Sequence, residues 1–552
     1  MEINRIDTNL LKKAIIHAAF VLRQNKKIVD ALNVFPVPDG DTGTNMSLTM
    51  DQAVKELTEI SSTDLKKVAD KAAWGSLMGA RGNSGVILSQ LFRGFAQGIP
   101  TGRDSISCME LALAYKSGVD SAYRAVMRPV EGTILTVARE TAEKMIFEAK
   151  RSNNLEKILD NTLRYGEKVL EKTPEMLKEL KEANVVDAGG KGLLFLMKGF
   201  LEVIKNPEMD ISSVQKVTAE RPAEEAVHSK TLQEIKYIYC TELFVTGETI
   251  DIDALKRELS NLGDSMIVVG NGELVKIHIH TNNPDMVLGC SLKWGELSNI
   301  KIDNMKIQHE ETIGNLAESD DTNNNTLQAV EKKDKEIGVF SVSSGSGLNE
   351  IFVSLGADII EGGQSMNPST ESILSVVEKT GYKDVIILPN NKNIILTAEQ
   401  VKSLSTKNIY VLPTKSIPQG ISALLAFNPD SSLEDNISNM TESINNVISG
   451  EVTYAVRDTK FNGNNIKEGD ILGIKDGNLE IVGKGTEEVI IELIDSMTEG
   501  KEDGIITIYY GSDIQESMVE KTVEILTQKY TNFDVEYYYG GQNLYYYIVS
   551  VE

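Results

Sequence analysis

The chain has 552 residues, with 81 Asp and Glu against 56 Lys and Arg, a net charge of −25 and only three Cys. This length predicts about three or four domains, and the charge argues against binding that depends on nucleic-acid phosphates or anionic lipids. The Cys are too few for a disulfide framework, and neither a signal peptide nor an apolar run of about 20 residues is present, so we expect a cytoplasmic protein without stable membrane insertion.

Residues 1 to about 205 predict an all-α domain. The apolar residues of the first run recur at i, i+3 and i+4 spacing, which is typical of an amphipathic helix. Pro and Gly cluster between the helical runs rather than within them, as expected for separate packed helices. The first run contains Leu11, Ala14, Ile15, Ala18 and Leu22, and further runs lie around 52–71, 108–127, 136–149, 154–172 and 190–205.

Two polar stretches without apolar periodicity, 207–230 and 319–336, are predicted linkers. Between them, short alternating strands surround a helix near 252–262, which predicts a small α+β domain. After them, apolar strands alternate with helical runs from Ile337 onward, which predicts a parallel α/β sheet. The strand candidates there are Ile337–Val342, Val385–Leu388 and Ile409–Leu412. The predicted domains are 1–206, 232–315 and 336–552.

The densest polar chemistry lies in the loop from Asn33 to Met46, with the sequence NVFPVPDGDTGTNM. Asp39 and Asp41 flank one glycine, so both carboxylates can converge on a hard cation. An ordinary Asp-Gly turn is the alternative for an isolated motif of this kind. Here two prolines stiffen the approach to the motif. The residues that follow offer N–H and hydroxyl donors suited to phosphate: Thr42, Gly43, Thr44 and Asn45.

Three further loops open helical runs in the same domain. Gly79 to Gly85 combines glycines with Arg81 before an apolar run, so its backbone can cradle an anion at a helix N-terminus. A glycine-rich turn without a role is an equal alternative for that loop alone. Glu131-Gly132-Thr133 and Asp187 to Gly192 are two more helix starts. Four such loops in one helical domain together indicate an anion site.

No Walker A motif and no protein-kinase motif occurs in the chain, so a different nucleotide-binding fold is required. The string PVPDGDTGTNM, together with Gly79–Gly85, Gly132-Thr133 and Asp187–Gly189, resembles the nucleotide-binding subunit of dihydroxyacetone kinases. Over nearly its whole length the chain is more similar to the catalytic subunit of bacterial fatty acid kinases. That resemblance implies an eight-helix barrel holding ATP and two Mg²⁺ ions at one end, a small α+β middle domain and an α/β DegV-like C-terminal domain.

The resemblance also assigns roles to particular residues. Asp39 and Asp41 correspond to catalytic Mg²⁺ ligands. The third metal carboxylate of dihydroxyacetone kinases corresponds most nearly to the neutral Asn33, one residue out of register. The residues assigned to the nucleotide are Thr42, Gly43, Thr44, Asn45, Asn83, Ser84, Gly85, Gly132, Thr133, Asp187 and Gly189.

The implied activity is an ATP-dependent kinase that phosphorylates the carboxylate of a fatty acid, giving an acyl phosphate for phospholipid synthesis. The implied partner is a DegV-family fatty acid-binding protein that presents the substrate to the C-terminal domain, and the implied assembly is a homodimer through the middle domain. A carboxylate nucleophile needs no general base, which agrees with polar loops that contain no His. A small-molecule kinase of the dihydroxyacetone type and a non-catalytic nucleotide-binding scaffold are the alternatives.

The middle domain carries a second candidate metal site. His278 and His280 alternate on a predicted strand, and Cys240 closes another strand of the same domain. One Cys with two His suits a structural Zn²⁺. The same residues are equally typical of the surface or the hydrogen-bonded core of a small sheet.

Overall fold

A computed structural model of the chain describes residues 3–34, 37, 40–126, 128–211, 239–247, 249–270, 274–304, 337–362, 367–461 and 464–552. The described parts of 1–221 and 334–552 form one compact unit, and those of 222–333 form a second. Most of both predicted linkers lies outside the described ranges. Of the described helices, none combines the length and the apolar character that crossing a lipid bilayer requires.

The N-terminal region is helical, as predicted, apart from a short ladder of β1 (Arg5–Asp7) and β2 (Ser105–Ser107). Its long helices are α1 (Thr8–Gln24), α3 (Thr42–Glu59), α4 (Leu65–Met78), α5 (Gly82–Gly98), α6 (Cys108–Ala125), α7 (Ile134–Ala149), α8 (Leu155–Glu171) and α11 (Ala188–Lys205). Its short helices are α2 (Lys26–Asp30), α9 (Thr173–Met176) and α10 (Lys178–Ala183).

The long helices contact one another in the cyclic order α1, α3, α4, α5, α6, α7, α8 and α11, and α11 packs back against α1. One apolar core fills the ring. The predicted stripe of α1 is buried, and so are Ile16 and Ala19, because α1 packs against both α3 and α11. Neighbouring helices joined by short connections run antiparallel, so the alternate helices α3, α5, α7 and α11 begin at the same end of the ring.

One predicted helix, over 52–71, is wrong because the chain forms two helices there. Helix α3 ends at Glu59 and α4 begins at Leu65. The Asp64 carboxylate accepts a hydrogen bond of 2.9 Å from the backbone N–H of Lys66, which satisfies a donor that the start of α4 leaves unpaired. A cap residue therefore restarts the helix inside an apolar pattern that continues across the break.

The first half of the C-terminal region contains a four-stranded sheet in the order β10-β9-β7-β8, and every pairing in it is parallel, as predicted. Its strands are β7 (Ile337–Ser343), β8 (Asp358–Glu361), β9 (Asp384–Leu388) and β10 (Asn408–Val411). The helices described here are α14 (Ser346–Ser354), α15 (Thr370–Glu378), α16 (Ile395–Lys402), α17 (Ile417–Leu425) and α18 (Leu433–Asn446).

The second half forms a six-stranded sheet in the order β15-β14-β11-β18-β16-β17, in which only β16 and β17 pair in parallel. The prediction of a parallel sheet is therefore wrong for this half. Asp476 (φ 47°) and Gly477 (φ 77°) form a two-residue hairpin turn, which joins antiparallel strands. The elements are β11 (Ile448–Tyr454), β12 (Thr459–Phe461), β13 (Asn464–Ile466), β14 (Ile471–Lys475), β15 (Asn478–Gly483), α19 (Thr486–Thr498), β16 (Gly504–Tyr510), α20 (Glu516–Lys529), β17 (Phe533–Tyr539) and β18 (Tyr547–Val551).

The second unit is a small α+β fold. Its antiparallel sheet has the order β4-β5-β3-β6, and Leu243, Ile277 and Leu255 lie in its buried core. The elements are β3 (Tyr239–Thr246), α12 (Ile252–Leu259), β4 (Gly263–Gly270), β5 (Leu274–Thr281), α13 (Pro284–Ser291) and β6 (Glu296–Asn304).

Candidate functional site

The four polar loops singled out in the sequence begin α3, α5, α7 and α11, the alternate helices of the ring. Gly82 at the start of α5 lies against Asn45 of α3, and Gly189 at the start of α11 lies against Ile134 of α7. Helix α11 also packs against α3. The predicted loops are therefore neighbours at one end of the ring, as expected if they share a ligand.

Asp41 and Asn45 form the centre of this end. Asn45 Nδ2 donates to Asp41 Oδ1 over 2.7 Å, one helical turn apart. Asp41 stands at the N-cap position of α3, yet its side chain makes no hydrogen bond to the first turn of that helix. Its carboxylate is therefore directed toward Asn45 and its surroundings instead of capping its own helix.

Asp30, which the sequence analysis missed, satisfies the start of α3 in its place. Its Oδ1 accepts from the backbone N–H groups of Gly43 (2.7 Å) and Thr44 (3.1 Å), and its Oδ2 accepts from Thr44 Oγ1 (2.9 Å). Nothing near Asp30 in the sequence marks it, because the contact depends on the fold of α2 against α3. The Thr44 hydroxyl, predicted to meet phosphate, is held by Asp30 here, and its role toward phosphate stays a prediction.

We expect Asp30→Ala to lower the free energy of unfolding by about 1–3 kcal/mol, because two first-turn N–H groups and a hydroxyl lose their acceptor. Asp30→Asn keeps one acceptor oxygen and should lose markedly less. Thermal denaturation of the three proteins at one pH tests this. A melting temperature of Asp30→Ala equal to that of wild type would contradict the capping role.

Gly82 shapes the turn at the start of α5. Its φ is +56°, and a Cβ there would lie 2.7 Å from Asn45 Nδ2. Arg81, at the N-cap position, makes no side-chain hydrogen bond to the first turn of α5. A glycine at this point therefore lets the start of α5 approach Asn45 closely, and the backbone N–H groups of Gly82, Asn83 and Ser84 lie in its first turn.

Gly85, the last residue of that predicted loop, lies against α3 instead. A Cβ on Gly85 would lie 2.5 Å from Thr49 Oγ1. Asn83 Nδ2 is 3.4 Å from Oδ1 of Asn393 in the C-terminal region. Gly85 thus serves helix packing in this structure, and its predicted contact with nucleotide stays a prediction, as do those of Asn83 and Ser84.

The starts of α7 and α11 form the other side of this end. Thr133 is the N-cap of α7, and its hydroxyl donates to Val130 O over 2.8 Å. Gly132 has a φ of +85°, and its N–H donates to Thr136 Oγ1 over 2.8 Å. Asp187 caps α11 by accepting from Gly190 N over 2.6 Å. The structure brings these residues together, and their predicted contact with nucleotide stays a prediction.

The Asp187 carboxyl titrates unusually, because burial raises its pKa from 3.8 to about 6. A folded-state pKa above the unfolded one means a stability contribution that is complete below about pH 4 and lost as the pH rises through 6. Asp187→Asn keeps a capping oxygen without the charge. We therefore expect its melting temperature to rise relative to wild type between about pH 4 and 7, by an amount equivalent to at most about 3 kcal/mol. Parallel pH profiles of the two proteins would contradict this.

Residues from the C-terminal region reach this end of the ring, which the sequence analysis did not predict. Asn367 Nδ2 donates to Asp41 Oδ2 over 2.6 Å, and the Arg457 guanidinium donates to Asn33 O. Asn367 was predicted to cap a helix with Pro368 as its first residue, which is wrong. Helix α15 begins at Thr370, and Ser369 caps it by accepting from Ser372 N.

The other predicted metal ligands are placed unevenly. Asp39 lies outside the described residues. Asn33 braces the loop, because its Oδ1 accepts from Thr42 Oγ1 (2.6 Å) and its Nδ2 donates to Asp30 O (2.8 Å). Among the described residues, no three His, Cys, Asp or Glu side chains gather closely enough to hold a metal ion. The roles of Asp39 and Asn33 toward Mg²⁺ stay predictions.

The residues that are described fit a nucleotide carrying Mg²⁺. Asn45 is 4% exposed, and within the described part of the chain its Oδ1 has no hydrogen-bond partner. A buried amide oxygen therefore stands beside the Asp41 carboxylate, and both are oxygen ligands of the kind that Mg²⁺ takes. The first turn of α5, which lacks a side-chain cap, offers N–H groups to a phosphate.

The candidate zinc site lies in the second unit. Cys240 is opposite His280 in the antiparallel pairing of β3 with β5, and His278 is opposite Glu242. The side chains of Cys240, His278 and His280 lie outside the described part of the structure. The zinc site therefore stays a prediction.

Comparison with known proteins identifies the family. Residues 36–202 match the DAK2 domain, 236–312 match the middle domain of FakA-like fatty acid kinases, and 338–552 match the C-terminal domain of FakA-like fatty acid kinases. The chain belongs to the FakA-like fatty acid kinase family. Protein YloV of Bacillus subtilis strain 168 is 42% identical over 562 residues, covering 100% of both chains.

Two further likenesses complete the comparison. Uncharacterized protein SH1689 of Staphylococcus haemolyticus strain JCSC1435 is 41% identical over 557 residues, again covering 100% of both chains. A crystal structure of DegV, a fatty acid binding protein from Bacillus subtilis, covers 39% of this chain and 99% of its own, with 16% identity and a TM-score of 0.30. A structural likeness this slight carries no argument about function.

Proposed function

We propose that the chain is an ATP- and Mg²⁺-dependent kinase that phosphorylates the carboxylate of a fatty acid. The observation that supports this most directly is the contact of Asp41 with Asn45 beside the Gly82 turn, where the starts of α3 and α5 meet. A carboxylate, a buried amide oxygen and helix N-termini are what phosphoryl transfer needs, because that reaction depends on positioning and charge neutralisation. Membership of the FakA-like fatty acid kinase family supports the choice of acceptor.

In the proposed reaction, a carboxylate oxygen of the fatty acid forms a bond to the γ-phosphorus, and the bond from that phosphorus to the β,γ-bridging oxygen breaks. The products are acyl phosphate and ADP, and no proton has to be removed from the nucleophile. When bound, Mg²⁺ neutralises charge on the phosphates. Asp41 and Asn45 Oδ1 are the described groups that would hold it, and the first-turn N–H groups of α5 would hold phosphate oxygens.

The acyl substrate is proposed to arrive on a separate fatty acid-binding protein of the DegV family. A free fatty acid chain is apolar and is largely bound or aggregated in water, so a carrier that leaves its carboxylate exposed is a suitable donor. In this proposal the C-terminal domain docks the carrier, the middle domain forms a homodimer, and the acyl phosphate serves phospholipid synthesis.

The test is acyl phosphate formation from ATP, Mg²⁺ and oleate, with and without a DegV-family fatty acid-binding protein from the same cell. Acyl phosphate formed only with the carrier would support the proposal in full. ATP binding without acyl phosphate under any condition would favour a regulatory scaffold instead. Dihydroxyacetone in place of oleate, if it consumed ATP, would favour a small-molecule kinase.

A further inference from the structure

The Asp41 carboxylate is held by two amides that come from distant parts of the chain. Asn45 donates to Oδ1 from the next turn of α3, and Asn367 donates to Oδ2 over 2.6 Å from the segment before α15. Asn367 is 1% exposed. Its own position is fixed in turn, because Arg81 Nη1 donates to its backbone carbonyl over 3.1 Å.

The loop before Asp41 is fixed to the C-terminal region at two further points. Arg457 donates to the backbone carbonyl of Asn33. Val37 is buried in an apolar cluster made by β-strand residues of the C-terminal region, among them Leu472 and Ile474. The loop is thus held on the C-terminal region at both of its ends and at Val37 between them.

The same two regions pack together next to the Gly82 turn. The backbone N–H of Thr370 donates to Ala80 O over 3.1 Å, and α16 packs along α5. Gln90 of α5 donates to Gln400 of α16 over 2.9 Å. Asn367 therefore belongs to an extensive contact, and a role specific to Asp41 must be separated from general support of that contact.

We infer that Asn367 is a positioning residue of the phosphoryl-transfer site, which fixes the orientation of the Asp41 carboxylate toward a divalent cation. A carboxylate with one amide donor on each oxygen cannot rotate without breaking one of the two hydrogen bonds. Each oxygen keeps a further lone pair for a cation. Groups that orient a metal ligand in this way affect metal affinity by about 10- to 100-fold. The inference rests on the proposed function for its assignment of Asp41 as a metal ligand.

The experiment measures binding of Mn²⁺, as a paramagnetic substitute for Mg²⁺, to the full chain with and without ADP by electron paramagnetic resonance. Asn367→Ala should weaken Mn²⁺ binding about 10- to 100-fold. The isosteric Asn367→Asp keeps the volume and should weaken it at least as much, because a second carboxylate would face Asp41. Gln400→Ala, which breaks a hydrogen bond in the same contact away from Asp41, should leave Mn²⁺ affinity unchanged.

Equal Mn²⁺ affinity in wild type and both Asn367 variants would overturn the inference, and so would an equal loss in Gln400→Ala. Wild type that binds no Mn²⁺ with or without ADP would overturn it as well. Faster acyl phosphate formation by Asn367→Ala at unchanged Mn²⁺ affinity would also overturn it, since the contact would then block the site. Weakened Mn²⁺ binding in the Asn367 variants, with no acyl phosphate from wild type, would uphold the inference and reject the proposed function.

Discussion

Asp41→Ala should reduce acyl phosphate formation by about 10³-fold or more. The change removes the one carboxylate that the described structure places beside the buried Asn45 oxygen, and a metal ligand in such a site contributes several kcal/mol to transition-state stabilisation. The fold should persist, because the change removes no apolar core volume. Two amides lose their acceptor, which should lower the free energy of unfolding by about 1–3 kcal/mol.

The measurement is the rate of acyl phosphate formation with the carrier present, alongside thermal denaturation. Asp70→Ala is the matched control, because Asp70 pairs only with Lys66 on the exposed surface of α4 among the ion pairs described. That control should keep wild-type activity. Wild-type turnover in Asp41→Ala would reject Asp41 as a catalytic metal ligand.

Gly82→Ala should also impair the site severely, with an activity loss of about 10²-fold, equivalent to about 3 kcal/mol. A side chain at a φ of +56° costs about 1–2 kcal/mol in backbone strain. In addition, the new Cβ would lie 2.7 Å from Asn45 Nδ2, so the Asn45 amide that holds Asp41 must move. The loss of activity should therefore exceed what the loss of stability explains.

Gly102→Ala separates these two effects. Gly102 has a φ of +70°, so it carries a similar backbone cost, but a Cβ there would meet nothing within 4 Å. Thermal denaturation should show a comparable destabilisation in both variants, whereas acyl phosphate formation should fall only in Gly82→Ala. Equal activity in the two variants would show that the Gly82 turn is not part of the site.

The helices of the N-terminal region could be predicted from sequence because their apolar periodicity and caps are local. The break before Asp64 and the Asp476-Gly477 turn were also local signals, yet longer apolar patterns on either side outweighed them. Asp41 and Asn45 were found because their motif is compact. By contrast, Asp30 and Asn367 act on residues 13 and 326 positions away, and no spacing in a single sequence reports such contacts.

The distance between Asp41 and Asn367 along the chain has a consequence for synthesis. The ring needs nothing beyond α11 to close on α1, so a nascent chain can form it early. Asn367 emerges 326 residues after Asp41, which at about 5 to 20 residues per second is roughly 15 to 65 s later. During that interval the ring exists without the amide that completes the environment of Asp41. A chain that terminates early would therefore carry the helical ring in a form whose candidate site was never finished.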